Sequence, residues 1–183
     1  MNGGEILVKI TVSGPPGSGT STLVERLAVE NSWSSLNGGD IFRNEAKNRE
    51  LTVGEFSDLC KSNLEVDKSL DDTLKNEISN PNGSEIIESR LSGWWAYQME
   101  IDCIRVWVNV SPEECARRIQ NREGGTFENQ LSISQQRQID DKERYRILYD
   151  IDLDDMSPYT LIIDADDITA DEVFFLVQSE IKE

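Results

Sequence analysis

Apolar residues in this chain gather into short runs, and the stretches between them carry helical periodicity. The first run, ILVKITVS (6–13), is rich in Ile and Val and predicts a strand covered on both faces. SEIIE (84–88), IRVWVNV (104–110) and YTLIID (159–164) predict three more strands, and the turn-rich stretch NSWSSLNGG (31–39) leaves room for a short one near 34–36. Helices are predicted at about 21–30 and 39–49, the second with Asp40 as N-cap. Val53, Phe56, Leu59 and Cys60 recur at helical spacing within 52–64, and Val66, Leu70, Leu74 and Ile78 do so within 66–79. Ser111-Pro112-Glu113-Glu114 predicts a clean helix start, with Ser as cap, Pro at the first position and Glu114 closing a capping box. A charged helix is expected over 132–149, after a flexible stretch at 123–131 that holds Gly124-Gly125. Thr169 and Glu172 cap a last helix whose apolar face includes Val173, Leu176, Val177 and Ile181. Strands alternating with helices imply an α/β fold with a parallel sheet. The helical stretch 39–83 is too long for a simple crossover and reads as an insert.

The join between the first strand and first helix carries the strongest chemical signal. GPPGSGTST (14–22) fits the phosphate-binding pattern G-x-x-x-x-G-K-[ST], with Gly14, Gly19 and Ser21 in register and Thr20 where the pattern asks for Lys. Backbone amides of Gly14, Pro15, Pro16, Gly17, Ser18, Gly19, Thr20, Ser21 and Thr22 (the prolines aside) can curl round an anion, reinforced by the helix N-terminus. Ser21 stands where a hydroxyl reaches Mg²⁺. Glu88 closes the strand at 84–88, and ligands of open α/β sheets bind beyond such strand ends.

Composition narrows the chemistry. The 183 residues carry a net charge of −17, which argues against a nucleic-acid partner. Residues 150–183 hold 11 acids and one lysine, whereas 105–149 hold 8 basic and 7 acidic groups. An acidic chain that concentrates its arginines in one stretch is expected to use them on an anionic ligand. There is no histidine, which removes Ser-His-Asp and Cys-His chemistry and makes a zinc site improbable. Cys60, Cys103 and Cys115 share no metal-like spacing and read as reduced thiols of a cytoplasmic protein. No apolar run is long enough to span a membrane and no signal peptide is expected.

Five segments resemble the archaeal-type cytidylate kinases in order: SGPPGSGTST (13–22), GDIFR (39–43), ESRLSGWW (88–95), ARRIQNREG (116–124) and RYRILYDIDLDD (144–155). The loop is a signal of the wider P-loop group; RLSGW together with YDIDLDD is similar to the cytidylate branch alone. The resemblance implies a three-layer P-loop kinase fold with a five-stranded parallel sheet flanked by helices. It also implies a core of 1–38, 84–121 and 150–183, a monophosphate-binding insert at about 39–83 and a lid at about 122–149. The implied reaction is ATP plus CMP or dCMP giving ADP plus CDP or dCDP, with Mg²⁺, no nucleic-acid or membrane partner, and a monomeric enzyme. Thr20 agrees with this branch, whose members commonly carry Thr at that position. Ser89 departs from the usual Glu-Gly-Arg, and Leu74 stands where the family often has Gln; both bear on substrate preference.

On this resemblance the loop residues 14–22 hold ATP, with Ser21 and Glu88 at the metal. Asp40, Arg43, Asp71 and Arg90 are the candidates for the acceptor, with the arginines on its phosphate and Asp71, or its neighbour Asp67, on the cytosine amine. Arg118, Arg122, Arg137 and Arg144 are expected to bring lid charge to the transferred phosphoryl group, in place of the absent lysine. A kinase of UMP or AMP, a nucleotide-binding regulator without turnover and a small-molecule kinase of the shikimate type remain the alternatives.

Overall fold

A computed structural model of the chain describes residues 7–182. Its centre is a five-stranded, all-parallel sheet in the order β2-β3-β1-β4-β5: β1 Ile10–Ser13, β2 Ser35–Asn37, β3 Ile86–Glu88, β4 Ile104–Asn109 and β5 Leu161–Asp164. Eight helices flank or extend from it among the described residues: α1 Thr20–Asn31, α2 Gly38–Asn48, α3 Val53–Ser62, α4 Leu64–Ile78, α5 Ser92–Gln98, α6 Pro112–Glu123, α7 Phe127–Tyr149 and α8 Ala170–Ile181. The first strand is shorter than the run at 6–13. Its ladder begins at Ile10, although Val8 is buried; Ile6 lies outside the described residues.

Alternation along the strands divides the core in two. Ile10, Val12, Val106 and Val108 pack with Leu23 and Leu27 of α1 and Val173, Phe174 and Val177 of α8. Ile87 and Trp107 point to the other face, among Leu91, Trp94, Trp95, Tyr145, Ile151, Leu153 and Tyr159. Leu176, expected on the apolar face of α8, is 51% exposed; Phe174 takes the inward place, under the Arg26 guanidinium. The insert α2–α4 has a small core of its own around Ala46, Phe56 and Cys60, with Val66 and Leu70 packed on it, while Leu74 and Ile78 tie α4 to the second main cluster. Val53, expected in that small core, is exposed.

Helix ends follow local chemistry, with three corrections. Thr52 with Glu55 and Thr169 with Glu172 form complete capping boxes. Ser111 caps α6 with Pro at its first turn, but Glu114 does not reach back; its carboxylate is taken by Arg117 and Arg118. Asp40 is not the cap of α2. Asn37 is, its Oδ1 accepting from the Gly39 amide at 2.7 Å, and Asp40 lies in the first turn. The stretch 123–131 is also more regular than expected. Thr126 caps α7, which starts at Phe127, so only Gly124, Gly125 and this cap join α6 to α7.

The two strings most specific to this chain pack against each other. Trp95 of RLSGWW meets Tyr149 of YDIDLDD edge-on at 4.8 Å. Gly93 packs against the Tyr159 ring so closely that a β-carbon would overlap its Cε1. Gly93→Ala is therefore expected to shift buried aromatics and cost about 1–3 kcal/mol, read as a lower urea midpoint at unchanged slope.

Candidate active site

The loop between β1 and α1 has the conformation its glycines permit. Gly17 and Gly19 have φ of 91° and 92°, a region side chains disfavour. Gly19 occupies the cap position of α1 without a side-chain acceptor, and no acid lies in the first turn. The first amides of α1 are thus left for an external anion.

Glu88, at the end of β3, is 7% exposed and faces this helix start. Its Oε1 accepts from the hydroxyls of Thr20 at 2.6 Å and Ser21 at 2.9 Å; its Oε2 accepts from the Asn37 amide at 2.5 Å. Burial pushes its carboxyl above the usual range, and these three donors pull it back. Thr20, which stands where a lysine is usual, thus spends its hydroxyl on Glu88. Glu88 makes no ion pair with Arg90, whose partner is Asp141.

Beside the loop a cavity of 430 Å³ opens between Gly17–Gly19, Arg118 and Arg122 of α6, and the start of α8 at Ile168–Val173. Arg118 donates to the Ser18 carbonyl at 3.0 Å, to the Ala165 carbonyl and to Glu114 at 3.0 Å. This corrects its assignment to a closing lid: three anchors fix Arg118 to the loop and to the end of β5. Arg122 lines the same cavity and pairs with Glu123. Arg137 is exposed on α7.

Across the strand ends lies a second cluster. Asp141 of α7 sits between two arginines, 3.6 Å from Arg90 Nε and 3.2 Å from Arg144 Nη2. Arg144 also pairs with Asp67 at 3.3 Å and donates to the Tyr145 hydroxyl at 2.6 Å. Arg90 lies 5.6 Å from the Trp107 ring, and its Nε and Nη1 are buried without a hydrogen-bond partner. Asp71, one turn from Asp67, accepts from the Tyr149 hydroxyl at 2.7 Å. Arg43 lies apart from this cluster, exposed and paired with Asp40 at 2.7 Å. So the structure brings together Arg90, Arg144, Asp67 and Asp71, and separately Thr20, Ser21 and Glu88. Asn37, Asp141 and Tyr149 escaped the sequence reading. An acid between two arginines of one helix, and an Asn just before the first turn of α2, were the available signals.

The two departures from the family pattern are both visible. Ser89 fits because the facing position is Gly38, where a β-carbon would stand 3.0 Å from that of Ser89. Leu74 is buried beneath the same glycine. Ser21 and Glu88 offer the hydroxyl and carboxylate oxygens that Mg²⁺ prefers, and a site with few protein ligands suits an ion that keeps several waters. Among the described residues no cluster of three acids or cysteines could cage a metal by itself.

An AAA domain family matches residues 10–143. The cytidylate kinase of Halobacterium salinarum is 38% identical over 84% of this chain and 79% of its own length. That of Archaeoglobus fulgidus is 35% identical over 93% of this chain and 92% of its own. In fold the chain is similar to a shikimate kinase from Bacteroides thetaiotaomicron, at TM-score 0.61 and 16% identity over 96% of this chain and 99% of that one.

Burial pushes the Asp71 carboxyl up to about 6 from its usual 3.8, against the Tyr149 hydroxyl that donates to it. Between about pH 4 and 6 the folded chain therefore keeps a proton that the unfolded chain has released. Stability falls as pH rises through that window, and the penalty is complete above it. Asp71→Asn removes the penalty. Its Tm relative to the parent is expected to be higher at pH 7.5, with the gap narrowing towards pH 4.5; a gap independent of pH would refute the assignment.

Proposed function

The chain belongs to the archaeal cytidylate kinases, and on that premise we propose that it transfers the γ-phosphoryl group of ATP to CMP or dCMP, giving ADP and CDP or dCDP. The observation that carries the reading is the two-sided site. An uncapped, glycine-lined helix start lies on one side, and a half-buried pair of arginines with two carboxylates lies on the other. A module that only bound ATP would have no use for the second side.

The donor phosphates lie on the amides of residues 14–22, and the cavity beside Arg118 and Arg122 takes the donor base. Arg90 and Arg144 receive the acceptor phosphate through the guanidinium edges that Asp141 and Asp67 leave free, with Arg43 reaching it from α2. Asp71 accepts from the exocyclic amine of cytosine through the oxygen that Tyr149 does not hold. Ser21 and Glu88 hold Mg²⁺, which when bound screens the charge of the donor phosphates. The protein's part is to align two anions and exclude water; no strong general base is needed, because the attacking group is already a phosphate oxygen. The insert at 39–83 and the lid at 122–149 close over the pair, bringing Arg122 and Arg137 to the transferred group, which Arg144, already at the acceptor phosphate, meets from the other side.

No helix among the described residues is long and apolar enough to cross a membrane. Free thiols at Cys60, Cys103 and Cys115 support a cytoplasmic setting, and we read the enzyme as a monomer without a nucleic-acid partner.

A coupled assay of ADP release across CMP, dCMP, UMP, AMP and GMP tests the proposal. The highest kcat/KM is expected with CMP or dCMP; turnover of AMP alone would overturn it. Arg90→Ala is expected to raise KM for CMP by about ten- to a hundredfold, the loss of charge-assisted hydrogen bonds to a phosphate. An unchanged KM would remove Arg90 from the acceptor site.

A further inference from the structure

We infer that Asn37 is a positioning residue for the phosphoryl transfer, acting through Glu88. The inference rests on the kinase reading above and adds a residue to it. One side-chain amide serves two elements here. Its oxygen caps α2 on the Gly39 amide at 2.7 Å, and its nitrogen donates to Glu88 Oε2 at 2.5 Å. Glu88 Oε1 is thereby turned towards Thr20 and Ser21 of the phosphate loop. A carboxylate has two equivalent oxygens and can rotate about its last torsion. A single donor on the far oxygen, held by a helix start, removes that freedom.

The joint around Asn37 is tight enough to enforce the arrangement. β2 pairs with β3 in parallel, with Asn37 opposite Glu88. At the next residue, Gly38, a β-carbon would stand 3.0 Å from the Ser89 β-carbon and 3.5 Å from the Glu88 carbonyl oxygen. The backbone of α2 is thus pressed against the residues that carry Glu88, and the amide has little room to swing away. A short hydrogen bond to an ionised acceptor is also among the stronger ones in proteins.

The two duties of Asn37 can be separated. Serine is an equally good N-cap, so Asn37→Ser keeps the acceptor for α2 but loses the nitrogen that holds Glu88. Aspartate also caps well, but Asn37→Asp sets a second carboxylate against Glu88. In Asn37→Ser, kcat is expected to fall about tenfold, the worth of one charge-assisted hydrogen bond. KM for CMP should stay within about twofold, and Tm should fall by only a few degrees, the worth of one of the three donors to Glu88, since α2 remains capped. Asn37→Asp should lose more activity than Asn37→Ser.

Calorimetry supplies a readout apart from turnover. Affinity for ADP with Mg²⁺ should fall in Asn37→Ser, whereas affinity for ADP without metal should not. In a Glu88→Gln background, Asn37→Ser should cost little further, because the carboxylate it orients is gone. Overturning results are a wild-type kcat in Asn37→Ser, a KM for CMP that rises in step with the loss of kcat, or full additivity with Glu88→Gln. If the parent protein phosphorylates no nucleoside monophosphate, the kinase reading fails, and the calorimetric comparison still decides whether Asn37 orients Glu88.

Discussion

Glu88 is a charge that the fold has taken out of water, and the site is arranged around satisfying it. A buried acceptor stripped of its donors costs about 1–3 kcal/mol, a sizeable share of the stability of a domain this size. Three side chains answer it: Thr20 and Ser21 from the start of α1, and Asn37 from the end of β2. They come from two separate places in the chain, so the carboxylate locks the phosphate loop, the end of β3 and the start of α2 into one geometry. The missing lysine of the phosphate loop makes sense against this constraint. A hydroxyl at position 20 completes the ring of donors around Glu88, and positive charge is concentrated instead on α6 and α7 and at Arg90.

That charge is held rather than free. Arg118 is clamped between two backbone carbonyls and Glu114, while Arg90 and Arg144 share Asp141. Two guanidiniums that face one site repel each other unless an anion lies between them. Asp141 supplies that anion, and Asp67 takes a further edge of Arg144. The carboxylates thereby fix the orientation of both guanidiniums in the absence of any ligand. The segment α2–α4 contributes Asp67 and Asp71 and α7 contributes Arg144 and Tyr149, so this cluster joins the two helical segments across the sheet end.

The aromatic packing under this cluster explains the two most distinctive strings of the chain. Trp95 and Tyr149 bring α5 and the end of α7 edge to face, and the Tyr159 ring packs closely against Gly93. Tyr149 then presents its hydroxyl to Asp71. Residues that look like core from their composition thus determine where an ionisable group of the pocket stands.

Much of this was legible along the chain. Strand runs, helical periods, the glycine spacing of 14–22 and the threonine caps at 52 and 169 are local properties, decided by residues within a few positions of one another. The choice of strands, the insert and the anion-binding loop followed from them. What the tertiary structure decided are the pairings between residues far apart in sequence. Asn37 and Glu88 are separated by 51 positions, Arg118 and Ser18 by 100, and Tyr149 and Asp71 by 78. Asp40 looked like a helix cap, Arg118 like a lid residue and Ser89 like an intrusion. Ala165 and Gly38 changed the last two readings because each meets its partner only after the sheet has formed, whereas Asn37 displaced Asp40 through a local bond to Gly39. A side chain's propensity is set by its own backbone, but the partner of a buried charge is set by which elements the core brings within about 3 Å of it.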